Sequence, residues 1–188
     1  MDVLKIKTEK ELKAWFEKRP PAVAQVVAAR TALRVLPYVV DAKNVKKFES
    51  DILLPVFWAV TTSWVATAAY AAAAVWNESL QDCAFFENAI EQGGEAEHAA
   101  RDLAGLPLWR TQSMPEETLG RWNELKGFLS NGGDNWQVWR DWYQARLDGG
   151  KTIDVPSDLL ETFDVGIATL DEKLWRQGPA AVNARSAN

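Results

Sequence analysis

One cysteine and one histidine in 188 residues close several routes to function at once. Cys83 alone cannot form an intrachain disulfide, cysteine-only zinc sites are out of reach, and a reducing cytoplasm fits this usage. His98 stands in Glu95-Ala-Glu-His98, the Glu-x-x-His spacing of di-iron carboxylate bundles, but that chemistry needs a second copy and the chain has no other histidine. Glu91 and Asp102 could add oxygen ligands along the same helical side, yet ordinary acid–base pairing on a surface helix accounts for the whole set. A Cys-His signature, a Gly-x-Ser-x-Gly elbow and a phosphate-cradling glycine loop with its lysine are all missing. Asn131-Gly-Gly-Asp134 precedes a helical pattern without that lysine and reads as a turn. No catalytic set, metal or cofactor is therefore expected.

Basic surplus is missing as well. The net charge is −5, which argues against a nucleic-acid partner, since binding to phosphates normally needs a basic field. Residues 1–47 hold eleven Lys+Arg and five Asp+Glu, a balance of +6, so the rest carries −11. That asymmetry could draw an acidic partner or promote head-to-tail self-association, although two solvated helix faces are the favoured account of it. After its charges, Met1-Asp-Val-Leu-Lys-Ile-Lys has no apolar run, so no secretory signal is expected. Alternating apolar and polar residues, the mark of half-buried strands, do not occur over any useful length.

What the chain has is tryptophan, in ten copies, within a composition that is 47% hydrophobic and 25% charged. Such a balance is that of a globular domain, and each indole brings large apolar area together with one N–H that needs a partner. Helical punctuation is frequent. Thr8-Glu-Lys-Glu11 is a capping box opening a helix with Leu12, Trp15 and Phe16, stopped by Pro20-Pro21. A second helix from Pro21 to about Pro37 puts Val23, Val26, Val27, Arg30, Leu33 and Arg34 on one broad face. A short helix over 42–50 exposes Lys43, Lys46 and Lys47. Residues 52–77 carry no charge, which a membrane span would also show, but Pro55, the central Thr61, Thr62, Ser63 and Thr67 and the many alanines favour a buried central helix. Leu80–Gln92 reads as a helix closed by Gly93-Gly94, followed by helices over 95–104, from Ser113 to about 129, from Asp134 to before Gly149, and over 157–170. The fold expected is all-α, a compact bundle with a tryptophan-rich core, as one domain over 1–188; the polar composition from about 179 to 188 suits a flexible tail.

Two places could carry recognition. Trp136, Trp139, Tyr143 and Arg146 share a helical stripe with Trp142 at its edge, and with Arg140 they would anchor a peptide or planar ligand if exposed. As a core helix the same residues satisfy their polar atoms internally, and this is the favoured expectation. Arg30 and Arg34 could bind an anion, or pair with buried carboxylates such as Asp141 or Asp164. Cys83, on the apolar side of its helix, reads as a small core residue, and the pairs Glu116/Glu117 and Asp171/Glu172 as charges at helix starts.

Ala28-Ala-Arg-Thr-Ala-Leu-Arg-Val-Leu-Pro37, Trp139-Arg-Asp-Trp-Tyr-Gln-Ala-Arg-Leu-Asp-Gly149 and Trp175-Arg-Gln-Gly-Pro-Ala-Ala-Val-Asn183 resemble segments of uncharacterised bacterial helical proteins. The resemblance implies an all-helical fold and brings no activity with it. The function expected is that of a non-enzymatic interaction or accessory module, acting through the basic N-terminal face or an aromatic groove near 136–146, with another protein or a second copy as partner and neither nucleic acid nor membrane. The alternative is a small-molecule-binding protein or hydrolase with a pocket lined by Arg30, Arg34, Trp139 and Tyr143.

Overall fold

The computed structural model describes residues 3–39, 72–131, 134–149 and 171–186, and beyond turns and connectors their secondary structure is entirely helical. A single 3-10 turn, Val3–Lys5, precedes α1 (Glu9–Phe16) and α2 (Pro21–Val39); α3 (Ala72–Glu91), α4 (Ala96–Ala104), α5 (Glu116–Asn131), α6 (Asp134–Leu147), α7 (Glu172–Trp175) and α8 (Pro179–Ser186) follow. The helix over 42–50 with its lysines, most of the uncharged stretch, the helix over 157–170 and the Gly132-Gly133 turn lie outside the described residues. No helix among the described residues is long and apolar enough to cross a membrane.

Local signals place most helix ends. The Thr8 hydroxyl accepts from the Glu11 N–H, and the Glu11 carboxylate accepts from the N–H groups of Lys7 and Thr8; these bonds hold its carboxyl below the usual carboxylate range. Gly93, at φ 85°, ends α3 with its own N–H on the Ile90 carbonyl and the Gly94 N–H on the Ala89 carbonyl, satisfying carbonyls the helix itself leaves open.

Three expectations need correction. The break at Asn77–Ser79 is absent, and α3 runs through it. Ser79 bonds back to the Val75 carbonyl and across to Thr31, while the buried Glu78 accepts from Thr111 and from the Arg110 N–H, so these polar residues are satisfied inside the bundle and do not end the helix. Pro37 lies within α2, which continues to Val39. A proline there cannot donate to the Leu33 carbonyl one turn back; the Tyr143 hydroxyl of α6 donates to that oxygen at 2.8 Å. Third, residues 179–186, read as polar tail, form α8 with Val182 fully buried.

Packing builds two cores along α2. Val23 and Val27 join Trp15, Leu80, Cys83, Phe86, Ala99 and Leu103 in a first core of mixed small and large side chains. Leu33 and Leu36 join Leu108, Leu125, Leu129, Trp122, Trp136, Trp139, Trp142, Tyr143 and Trp175 in a second, aromatic one. Six of the eight described tryptophans are buried, the exceptions being Trp76 and Trp109, so the tryptophan-rich core holds for these residues. Helix α2 packs on α1, α3, α4 and α5, and α6 packs on α5 and α8.

Candidate functional site

Between the two cores lies a seam of buried charge. One turn apart on α2, Arg30 and Arg34 both turn inward onto Asp82 of α3. Arg30 Nε lies 2.9 Å and Arg34 Nη2 2.7 Å from the same Asp82 oxygen, and Asp82 and Arg34 are 0% exposed. Each guanidinium has donors left over, and these reach the last turn of α4 and the connector after it. Arg30 donates to the carbonyls of Leu103, Leu106 and Pro107 at 2.9, 2.7 and 2.7 Å. Arg34 donates twice to Leu108, at 2.8 and 2.6 Å. Arg110 approaches the other Asp82 oxygen at 3.7 Å and covers the Phe85 ring. Burial pulls the Arg34 and Arg110 guanidiniums below their ordinary pKa, with Asp82 opposing the shift.

This arrangement settles where the two arginines go, and corrects their partner. Both meet Asp82; Asp141 instead pairs with Arg140 next to it at 2.7 Å, and Asp164 lies outside the described residues. It also accounts for part of the charge asymmetry. Arg19 pairs with Glu87, as Arg30 and Arg34 do with Asp82, so three of the eleven N-terminal cations face acids of α3. On the described surface of this segment, Lys5, Lys7, Lys10, Lys13 and Lys18 stand against Glu9, Glu11 and Glu17, a balance of +2.

The aromatic stripe of α6 faces inward. Trp139 and Tyr143 are 0% exposed, and Trp136 and Trp142 are buried with them. Trp142 therefore sits on the buried face, where Trp139 meets it edge-on at 6.3 Å, and Trp139 in turn lies 5.6 Å from Trp175 in a tilted arrangement. Burial in this core drives the Tyr143 hydroxyl far above its ordinary pKa. Arg146 is half-buried with its guanidinium 5.9 Å from the Trp142 ring centre, and Arg140 also bonds to Ser130 at 3.1 Å.

What does open to the surface is a groove of about 600 Å³ beside that stripe. One wall is the connector, through Pro107, Trp109, Gln112, Ser113 and Met114. The other combines Leu119, Trp122, Asn123 and Lys126 of α5 with Gln144, Leu147 and the neighbouring Asp148 of α6. The α5 residues fall at i, i+3, i+4 and i+7, a single helical stripe. Leu119 is 44% exposed, one of few large apolar side chains so open. Polar atoms at its back are tied down: Trp122 Nε1 donates to Gln144, whose amide donates to Asp148 at 2.9 Å. The connector meets α6 where the Leu108 N–H bonds to the Leu147 carbonyl, and Gly149, at φ 66°, passes so close that a Cβ would stand 2.5 Å from the Pro107 nitrogen.

None of Arg30, Arg34, Trp136, Trp139, Arg140, Tyr143 or Arg146 lines this groove. Sequence reasoning missed its lining because the connector looks like simple punctuation and α5 like a plain core helix; the surplus Leu119, one turn before Trp122, was the available signal. Catalytic groupings do not converge on it. Its titratable lining residues are Lys126 and Asp148, Cys83 is in the first core with its thiol pushed far up by burial, and the Glu95–His98 pair is 3.1 Å apart on the exposed face of α4. No group of three metal-ligating side chains occurs among the described residues. Comparison with family models, with curated proteins and with solved structures finds no match.

Proposed function

We propose that this protein is a non-enzymatic helical interaction module that receives a short segment of a partner protein in the groove between the connector and α5–α6. The observation that carries this reading is the groove's lining. Apolar Trp109, Met114, Leu119 and Leu147 share the lining with the carboxamides of Gln112 and Asn123, which offer both donors and acceptors to a peptide backbone. An open trough with exposed Leu119 fits a chain segment lying along it, and an aromatic and thioether lining is common at protein interfaces. The basic N-terminal face is the weaker docking surface, because its described charge is nearly balanced.

A second reading has its own support. A volume of about 600 Å³ also suits a small ligand, which such pockets hold with few polar contacts. Photocrosslinking separates the two. A benzoylphenylalanine at Gln112, compared with one at exposed Lys10, is irradiated in native lysate, and captured proteins and co-eluting small molecules are identified by mass spectrometry. We expect one stoichiometric protein adduct from position 112, lost in Leu119→Arg. A small molecule that co-purifies and is lost in Leu119→Arg, with no protein adduct, overturns the module in favour of the pocket.

A further inference from the structure

We infer that Arg30, Arg34 and Asp82 are positioning residues that set the width of the groove, by clamping its connector wall against α2 and α3. The importance of that width rests on the groove being the binding site; the clamp itself rests on hydrogen bonds alone. The two walls differ in kind. The α5–α6 wall stands on helices, each closed by its own backbone bonds. The opposite wall is irregular backbone, and side chains carry most of its attachments. Three of its consecutive carbonyls, those of Leu106, Pro107 and Leu108, accept from Arg30 or Arg34, and Arg30 also holds the Leu103 carbonyl in the last turn of α4. Glu78 adds the Arg110 N–H and the Thr111 hydroxyl.

Asp82 is what makes two adjacent buried guanidiniums tolerable. Without its charge they repel each other in a dry interior, and neither stays aimed at the connector. Lysine cannot replace either arginine, since each uses nitrogens at several corners of a planar fork to hold separate groups. Arg34 also faces the wall, its guanidinium carbon lying 6.0 Å from the ring centre of Trp109, which lines the groove, and its donors hold the carbonyl of the preceding Leu108.

Pulsed electron paramagnetic resonance reads the width without any partner. Nitroxide labels are placed across the groove in the double variant Gln112→Cys/Asn123→Cys; Cys83 stays unlabelled, being 0% exposed with its thiol pKa driven up by burial. The otherwise unaltered protein should give one narrow distance. Arg34→Lys and Asp82→Asn should lose it while keeping the helical circular dichroism spectrum. Leu129→Ala, which opens a cavity in the aromatic core and bonds no connector carbonyl, should keep it. If Arg34→Lys does not fold, Arg30→Lys, which retains charge beside Asp82 but cannot span the three carbonyls, is read in its place. A narrow distance that persists in the clamp variants overturns the inference, as does an equal broadening in Leu129→Ala. Since no ligand enters the measurement, its failure is distinct from failure of the crosslink at position 112.

Discussion

The two cores along α2 solve the same problem with different materials. Around α1, α3 and α4 the buried interior mixes Val, Ala and Cys with Ile6, Leu80, Leu103, Phe86 and one tryptophan, Trp15. Around α5, α6, α7 and α8 it is five indoles, Tyr143 and leucines. Small side chains let helices approach closely but bury little area each; indoles bury much area and demand partners for their N–H groups. The charged seam lies where the two meet, with Arg30 placed between Val27 of the first core and Leu33 of the second. A buried ion pair is a poor source of net stability, so what the seam contributes is direction: it fixes which carbonyls of the connector face α2. The comparison teaches that bulk packing holds this protein together while a few charges decide how its loop is placed.

The sharpest way to break this contrast is at the seam. Asp82→Ala strands Arg30 and Arg34 without a counter-charge and should lower stability by about 3–5 kcal/mol, seen as a drop in the urea midpoint. Leu129→Ala, a cavity in the aromatic core, should cost about 3 kcal/mol, and hydrogen exchange should then rise in α5 and α6 before α3. The seam variant should instead raise exchange first at 106–111.

Alkaline pH probes both cores together. Burial raises the Tyr143 hydroxyl from its ordinary 10.0 and the Cys83 thiol from its ordinary 9.0. The folded state keeps those protons where the unfolded chain has lost them, so stability is full below the ordinary values and falls as pH rises past them. The slope approaches about 1.4 kcal/mol per pH unit for each group. Urea titrations should show Tyr143→Phe removing the contribution that begins near pH 10.0 and sparing the one near 9.0. At neutral pH the same substitution should cost about 1–2 kcal/mol, because the Leu33 carbonyl ahead of Pro37 loses its donor. Smallest of all, Arg140→Ala removes a partly exposed pair with Asp141 and should change stability by less than about 0.5 kcal/mol.

Local chemistry made much of the fold legible. The capping box at Thr8, the Pro20-Pro21 stop and Gly93-Gly94 each act within a few residues: α1 starts one residue after Thr8, α3 ends two before Gly93, and α1 ends at Phe16, four before Pro20. The inward stripe of α6 was legible for the same reason, since helical spacing alone puts Trp136, Trp139 and Tyr143 on one face. Ending one helix at Asn77 and beginning another at Leu80 was wrong because the polar Glu78 and Ser79 between them are satisfied inside the bundle by neighbours distant in sequence, Thr31, Arg110 and Thr111. The groove was hidden in the same way, as its walls join residues 107–114 with 119–126 and 144–148.

The helical class, many of the helix ends that the described residues show, and the shared face of Trp136, Trp139 and Tyr143 follow from the sequence alone, because capping, proline geometry and apolar periodicity operate over one or two turns; that this face is buried follows from the packing. Tertiary structure decided that Asp82 rather than Asp141 meets both arginines, that Tyr143 replaces the donor Pro37 lacks, and that a loop and two helices enclose a groove. Those outcomes depend on which surfaces face each other once α2 lies against α3, α4 and α5, and no spacing along the chain encodes that directly.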